Sequence, residues 1–154
     1  MKDNKLNMGD NVHNVLAHSY SLYFMAFLLG LFFNFIYPLK VSDQGFISSV
    51  GIVFLLFSTF IIIWAQKTSR NLDVVNINSK SFHKGPYRYT RKPTHWGLFI
   101  LMLGFGFMVN SFFVVLFTLI SFIITDSVFL KKQEAILIKK YGEAYLEYKK
   151  LVKF

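Results

Sequence analysis

Cysteine is absent from the 154-residue chain. Its absence excludes disulfides, thiolate metal sites, a cysteine nucleophile and palmitoylation. Proline occurs three times, once closing the first apolar run (Pro38) and twice in the central polar segment (Pro86, Pro93). Acid is scarce, with 8 Asp and Glu against 17 Lys and Arg. Charge of either sign is missing from Asn11 to Leu39, Gln44 to Gln66 and Pro93 to Thr125, runs of 29, 23 and 33 residues. A helix needs about 20 apolar residues to cross a bilayer core, so runs of this length exclude an ordinary soluble domain and intrinsic disorder. What fills the runs is hydrophobic: 54% of the chain overall, with 19 phenylalanines.

The sequence predicts an all-α, polytopic membrane bundle of about four spans forming one domain, 1–154. Span 1 is expected over 19–37, retained rather than removed as a signal peptide, and span 2 over 46–65. A polar loop, 66–94, carries Lys67, Arg70, Lys80, Lys84, Arg88, Arg91 and Lys92. The apolar stretch 95–130 reads as one overlong helix or as a hairpin turning at Asn110-Ser111. Charge decides between them. The tail, 131–154, carries another seven lysines, and a single crossing would put the two basic groups on opposite sides of the membrane. A hairpin keeps both cytoplasmic, together with both termini. Its first limb, His95 to Val109, rises roughly 22 Å and is short for a full crossing. Gly97, Gly104 and Gly106 along it point to close helix contact through small residues.

The loop ends in GPYRYTRKPTHWG, Gly85 to Gly97, where two prolines resist a continuous helix. Taken alone it reads as a basic and aromatic interfacial anchor, with an anion-binding site as the functional alternative, because arginine grips carboxylates and phosphates in a forked geometry. On a helical tail, Glu134, Ile138, Tyr141, Tyr145, Tyr148 and Val152 recur at steps of three and four and share one face. Glu134 is a carboxylate on an otherwise apolar and aromatic stripe. It is either a solvated first-turn acid or the partner of a nearby cation, Arg88 or Arg91.

GPYRYTRKPTHWG, a short apolar hairpin and then QEAILIKKYGEAYLEY (Gln133 to Tyr148) resemble the integral membrane methyltransferases. That group includes isoprenylcysteine carboxyl methyltransferase and the phospholipid N-methyltransferases. The resemblance covers Lys84 to Lys150 and implies an S-adenosylmethionine-dependent transfer to a lipophilic acceptor, an isoprenylcysteine carboxylate or a lipid amine, at the cytoplasmic membrane face. It implies catalytic roles for Arg91 and Glu134. It implies cofactor contacts from Pro86, Tyr87, Arg88, Lys92, Pro93, His95, Gly97, Gln133 and Tyr145. Tyr141, Gly142, Tyr145 and Tyr148 match the family's ending. Lys92, His95 and Gln133 stand where the family pattern has histidine, tyrosine and a first acid.

Two other readings compete: an NADPH-dependent membrane reductase with a similar C-terminal region, and a non-catalytic basic membrane protein that binds anionic lipid. No metal is expected, since His13, His18, His83 and His95 make no ligand spacing with nearby acids. No nucleic-acid partner is expected either, because membrane topology accounts for the +9 net charge.

Overall fold

The structure, a computed structural model, describes residues 3–43, 45–70 and 84–152. Among these it is helical: α1 (Asp3–Ile36), α2 (Phe46–Arg70), a 3-10 turn (Gly85–Arg88), α3 (Pro93–Met108), α4 (Phe112–Ile124), a π turn (Thr125–Phe129), α5 (Leu130–Tyr141) and α6 (Glu143–Leu151). Three segments are long and apolar enough to cross a membrane: Ala17–Ile36, Phe46–Ser69 and Phe112–Tyr141. The fourth, Pro93–Met108, has 16 residues. It begins two residues before the expected limb and still rises only about 24 Å. Residues 71–83 of the polar loop, with Lys80 and His83, lie outside the described residues, as does the end of the tail.

The chain turns back at Asn110-Ser111. α3 stops at Met108, Asn110 takes a left-handed conformation with φ 53°, and α4 starts at Phe112. The Asn110 side chain then ties this turn to the α1–α2 connection. Its Oδ1 accepts from the Val41 and Ser42 amides at 3.0 and 3.1 Å, and its Nδ2 donates to the Ser42 carbonyl at 2.7 Å. Ser111 caps α4 by accepting from the Val114 amide.

The hairpin lies between the first two helices, since α2 packs chiefly on α3 and α1 chiefly on α4. Inner faces are small or polar. Along α1 the buried residues are Ser19, Tyr23, Ala26 and Gly30, and from α4 into the π turn they are Val114, Thr118, Ser121 and Thr125. Each series steps by four, three and four residues, one side of a helix. The large apolar side chains face outward, Phe35, Leu56, Phe60 and Ile63 among the most exposed. In a bilayer that exposure is solvation by lipid, and helices meet where small residues let backbones approach. Gly51 and Gly104 show this most closely. A Cβ on Gly51 would stand 2.7 Å from the Gly104 carbonyl oxygen, and one on Gly104 would stand 3.0 Å from the Leu55 amide nitrogen. This contact holds the short α3 against the full-length α2.

The C-terminal segment differs from a single helix. Gly142, at φ 57° and ψ −132°, breaks it into α5 and α6. An L side chain is disfavoured in that conformation, and glycine adopts it without a Cβ penalty. As a result α6 turns back, and residues 134 and 149 come into contact (Lys149 Nζ to Glu134 Oε2, 2.8 Å). On a continuous helix the same two residues would stand roughly 22 Å apart along the axis.

Candidate functional site

The 3-10 turn Gly85–Arg88 packs on α2. Pro86, in its first turn, is buried, and its carbonyl accepts from the Tyr89 and Thr90 amides at 3.1 and 3.2 Å. That arrangement reverses the chain and delivers Arg91 and Lys92 to the start of α3. Pro93 then opens α3, where its missing N–H costs nothing. The Lys92 carbonyl accepts from the His95 and Trp96 amides, completing the first helical turn.

Arg91 and Lys92, neighbours in sequence, reach different acids. Arg91 Nη1 donates to Glu134 Oε1 at 2.6 Å, with the two side chains only 13% and 17% exposed. Lys149 Nζ donates to the other oxygen of Glu134. Glu134 is therefore shared between the loop motif and α6. Lys92 Nζ reaches Asp126 Oδ1 in the π turn at 3.1 Å, at a more open position.

Beside the Arg91–Glu134–Lys149 group lies a small tyrosine core. Tyr145, Tyr148 and Val152 are buried, with Tyr87, Leu137, Ile138, Tyr141 and Ala144 packed on them. Tyr148 Oη donates to the Tyr87 carbonyl at 2.7 Å, a second link from α6 to the loop motif. Burial pushes the Tyr145 phenol up to about 12; the Glu134 charge adds to the rise and Arg91 opposes it. Burial likewise raises Tyr148, reinforced by Tyr145 and Tyr87 and opposed by Arg91. Both phenols stay protonated at neutral pH, so the group carries one acid against two cations.

The structure thus brings together Tyr87, Arg91, Glu134, Tyr145 and Tyr148, with Pro86 buried in the turn just before Tyr87, and it selects Arg91 rather than the exposed Arg88 as the partner of Glu134. Gln133 is half-buried, one residue before Glu134. Gly97 is turned elsewhere, against Ile62 of α2, where it serves helix contact. His95 is buried inside the bundle, stacked on Phe122 with ring centroids 4.9 Å apart and planes at 13°. The Tyr23 ring lies 6.0 Å from it.

Sequence reasoning did not assign roles to Lys149, Asp126, Tyr23 or Thr125. Asp126 had a signal, since it is the only acid between Pro93 and Leu130. Lys149 had none, because it is one lysine among seven in the tail.

The profile of the phospholipid methyltransferase family matches residues 46–144, well over half of the chain. The chain belongs to that family. No curated protein and no solved structure matches it. Membership of the phospholipid methyltransferases implies methyl transfer at a membrane, in keeping with the apolar helices. The match takes in the loop motif and Glu134. It stops before Tyr145, Tyr148 and Lys149, and α1 with Tyr23 precedes it.

Proposed function

We propose that the protein transfers a methyl group from S-adenosylmethionine to a lipophilic acceptor drawn from the bilayer, at the junction of the loop motif and α5–α6. The observation that carries this reading is the Arg91–Glu134 bond, which joins the two halves of the family motif across 43 residues of sequence. The donor set suits the cofactor. Two cations sharing one acid leave positive charge for a carboxylate, while Glu134 offers an acceptor to an ammonium or to ribose hydroxyls. S-adenosylmethionine, when bound, supplies an activated methyl group on its sulfonium.

The rest falls to the protein's own residues. Arg91 and Lys149 grip and orient the anionic end, and Glu134 fixes both cations so that they enter the site ordered. Tyr87, Tyr145 and Tyr148 wall the junction with aromatic surface, Pro86 setting the turn that presents Tyr87, which excludes water from a displacement that needs little beyond alignment and desolvation. Arg88, Lys92, Pro93, Gln133 and Gly97 complete the cofactor side: Arg88 and Lys92 as outer cations, Gln133 as a polar neighbour of Glu134, and Pro93 and Gly97 by setting the start and seating of α3. Both termini face the cytoplasm, on the side of the basic loop and tail.

The test is incubation of membranes containing the protein with S-adenosylmethionine labelled in its methyl group, alongside equilibrium binding of S-adenosylhomocysteine and NADPH to the purified chain. Label in lipid and binding of S-adenosylhomocysteine are expected. Binding of NADPH alone would replace the reading with a reductase. No cofactor binding together with salt-sensitive binding to anionic lipid would replace it with a non-catalytic membrane protein.

A further inference from the structure

The charges of α5 are sorted by face. Lys131, Lys132, Lys139 and Lys140 are all exposed, while the helix's one acid, Glu134, is turned inward to Arg91 and Lys149. Lys139 and Lys140 follow Lys132 by seven and eight residues, so the four share one side of the helix, with the exposed Ala135 among them. Ile138 and Tyr141, on the side of Glu134, pack against the tyrosine core. None of the four lysines is in an ion pair among the described residues: Asp126 is bonded to Lys92, and Glu134 is shared by Arg91 and Lys149. Lys140 rests over the Tyr141 ring, 5.1 Å from its centroid, and keeps its net charge there. Membrane orientation asks only for lysines somewhere in the tail; it does not ask that they occupy one face with the acid on the other.

The position of this face narrows its partner. α5 follows α4 and the π turn with no linker, and Phe112–Tyr141 is one continuous membrane-length segment. Its exposed apolar residues Ile123, Ile124 and Val128 end just before the lysines begin. Lys131 and Lys132 follow Val128 by three and four residues and so stand directly beyond it on the same side of the helix. Helical side chains lean back towards the N-terminus, here towards the bilayer. A lysine stem lies along apolar surface while its ammonium stays in the polar layer. Lys131 and Lys132 are thereby set at the level of the lipid phosphates. Lys139 and Lys140 lie roughly 12 Å farther along the axis, more than the Debye length of about 8 Å at physiological salt. A soluble acidic partner would meet the outer pair first, whereas an anionic leaflet meets the inner pair first.

We propose that the lysine face of α5 docks on anionic phospholipid headgroups of the adjoining leaflet, with Lys131 and Lys132 as its main contacts. The recognition is of phosphate charge by ammonium groups, and it does not rest on the methyl-transfer reading. One helix then serves two sides, its lysines held to the membrane surface and its Glu134 held to the loop motif. Each lysine close to an anionic surface adds about fivefold in association, and two together add about thirtyfold.

The experiment uses the full chain in nanodiscs of mixed phosphatidylcholine and phosphatidylglycerol. Ala135→Cys supplies the chain's one thiol, at the centre of the lysine face, for a fluorophore. Each lipid in turn carries a nitroxide quencher high on its acyl chain, so that both headgroups stay unaltered. The ratio of the two quenching curves gives the preference of this face for the anionic lipid. Phosphatidylglycerol has neither an amine nor a carboxylate, which keeps this readout apart from binding of either expected acceptor. At low salt the face is expected to prefer phosphatidylglycerol about five- to thirtyfold, and the preference should fall as salt rises. Lys131→Gln with Lys132→Gln should remove most of it, and Lys139→Gln with Lys140→Gln a smaller part. Lys131→Arg with Lys132→Arg keeps the charge and should retain it. Should the glutamine pair disturb the tail, the arginine pair and the salt titration with all four lysines in place still decide the matter. Equal quenching by the two lipids, a preference indifferent to salt, or one that survives replacement of all four lysines overturns the proposal. So does a preference lost only with Lys139 and Lys140. Equal quenching together with binding of polyglutamate overturns it too, and would give the face to a soluble acidic partner.

Discussion

Replacing Glu134 by Gln removes one charge and keeps the shape and one acceptor oxygen. In the native chain that carboxylate holds Arg91 at 2.6 Å and Lys149 at 2.8 Å. The Arg91 bond is charge-assisted and sheltered, and such bonds contribute about 1.5–3 kcal/mol. Lys149 is 39% exposed, so solvent screening holds its share to about 1 kcal/mol or less. If these two cations must be presented in order to the cofactor, losing the Arg91 term lowers S-adenosylhomocysteine affinity about ten- to hundredfold. Losing the Lys149 term raises hydrogen exchange in α6 by less than about tenfold. Calorimetric titration of folded, membrane-inserted protein measures the first, and exchange mass spectrometry over Glu143–Leu151 the second. Arg91→Gln should lose at least as much, since Arg91 also grips the cofactor, and the double variant should be little worse than Arg91→Gln alone, because Glu134 acts through Arg91. Unchanged affinity and turnover in Glu134→Gln, or strictly additive losses in the double variant, would refute the reasoning.

Gly142→Ala puts a side chain where φ is 57° and ψ −132°, a strain of about 1–3 kcal/mol. It should release α6, seen as faster exchange over Glu143–Leu151 with α1 to α4 unaffected; native-like exchange would mean that the fold-back does not depend on this residue. The Tyr145 phenol is raised from an ordinary value of 10 to about 12, so its contribution to stability is whole below pH 10 and is lost as pH rises from 10 towards 12. Near-ultraviolet circular dichroism should follow that loss in the native chain, and Tyr145→Phe should flatten the profile in this window. Gly104→Val overfills the contact with Gly51 and should lower the melting temperature in detergent by an amount corresponding to about 1–3 kcal/mol, unlike Gly45→Ala, whose Cβ meets nothing within 4 Å. The absence of native cysteine makes topology simple to test: in spheroplasts, Lys40→Cys should react with an impermeant maleimide and Lys84→Cys should not, and the reverse pattern would invert the assigned orientation.

Much of the bundle was legible because membrane insertion is governed by quantities that sum along the chain. Charge-free length marked the spans, and the basic groups at 66–94 and 131–154 required the hairpin, whose turn falls at Asn110-Ser111 as expected. The helix faces were less legible. In lipid the large residues point outward and the small ones meet, so Ser19, Tyr23, Ala26 and Gly30 form an inner face that a count of apolar residues passes over. The tail misled in one respect. Its periodicity runs through Gly142 without interruption, yet the backbone turns there.

From composition and order came the membrane class, the hairpin and Arg88 or Arg91 as candidate partners of Glu134, while the methyl-transfer expectation came from motifs that resemble a known family. Each depends on local sums or on residues close together in sequence. Folding decided the rest: that Arg91 and not Arg88 meets Glu134, that Lys149 returns across 15 residues to the same carboxylate, and that Tyr23 of α1 packs beside His95 of α3 in the bundle interior. These contacts depend on one glycine's dihedral angles, one π turn and the approach of helices at glycine. Such features are set by packing among distant segments, and no window of neighbouring residues encodes them.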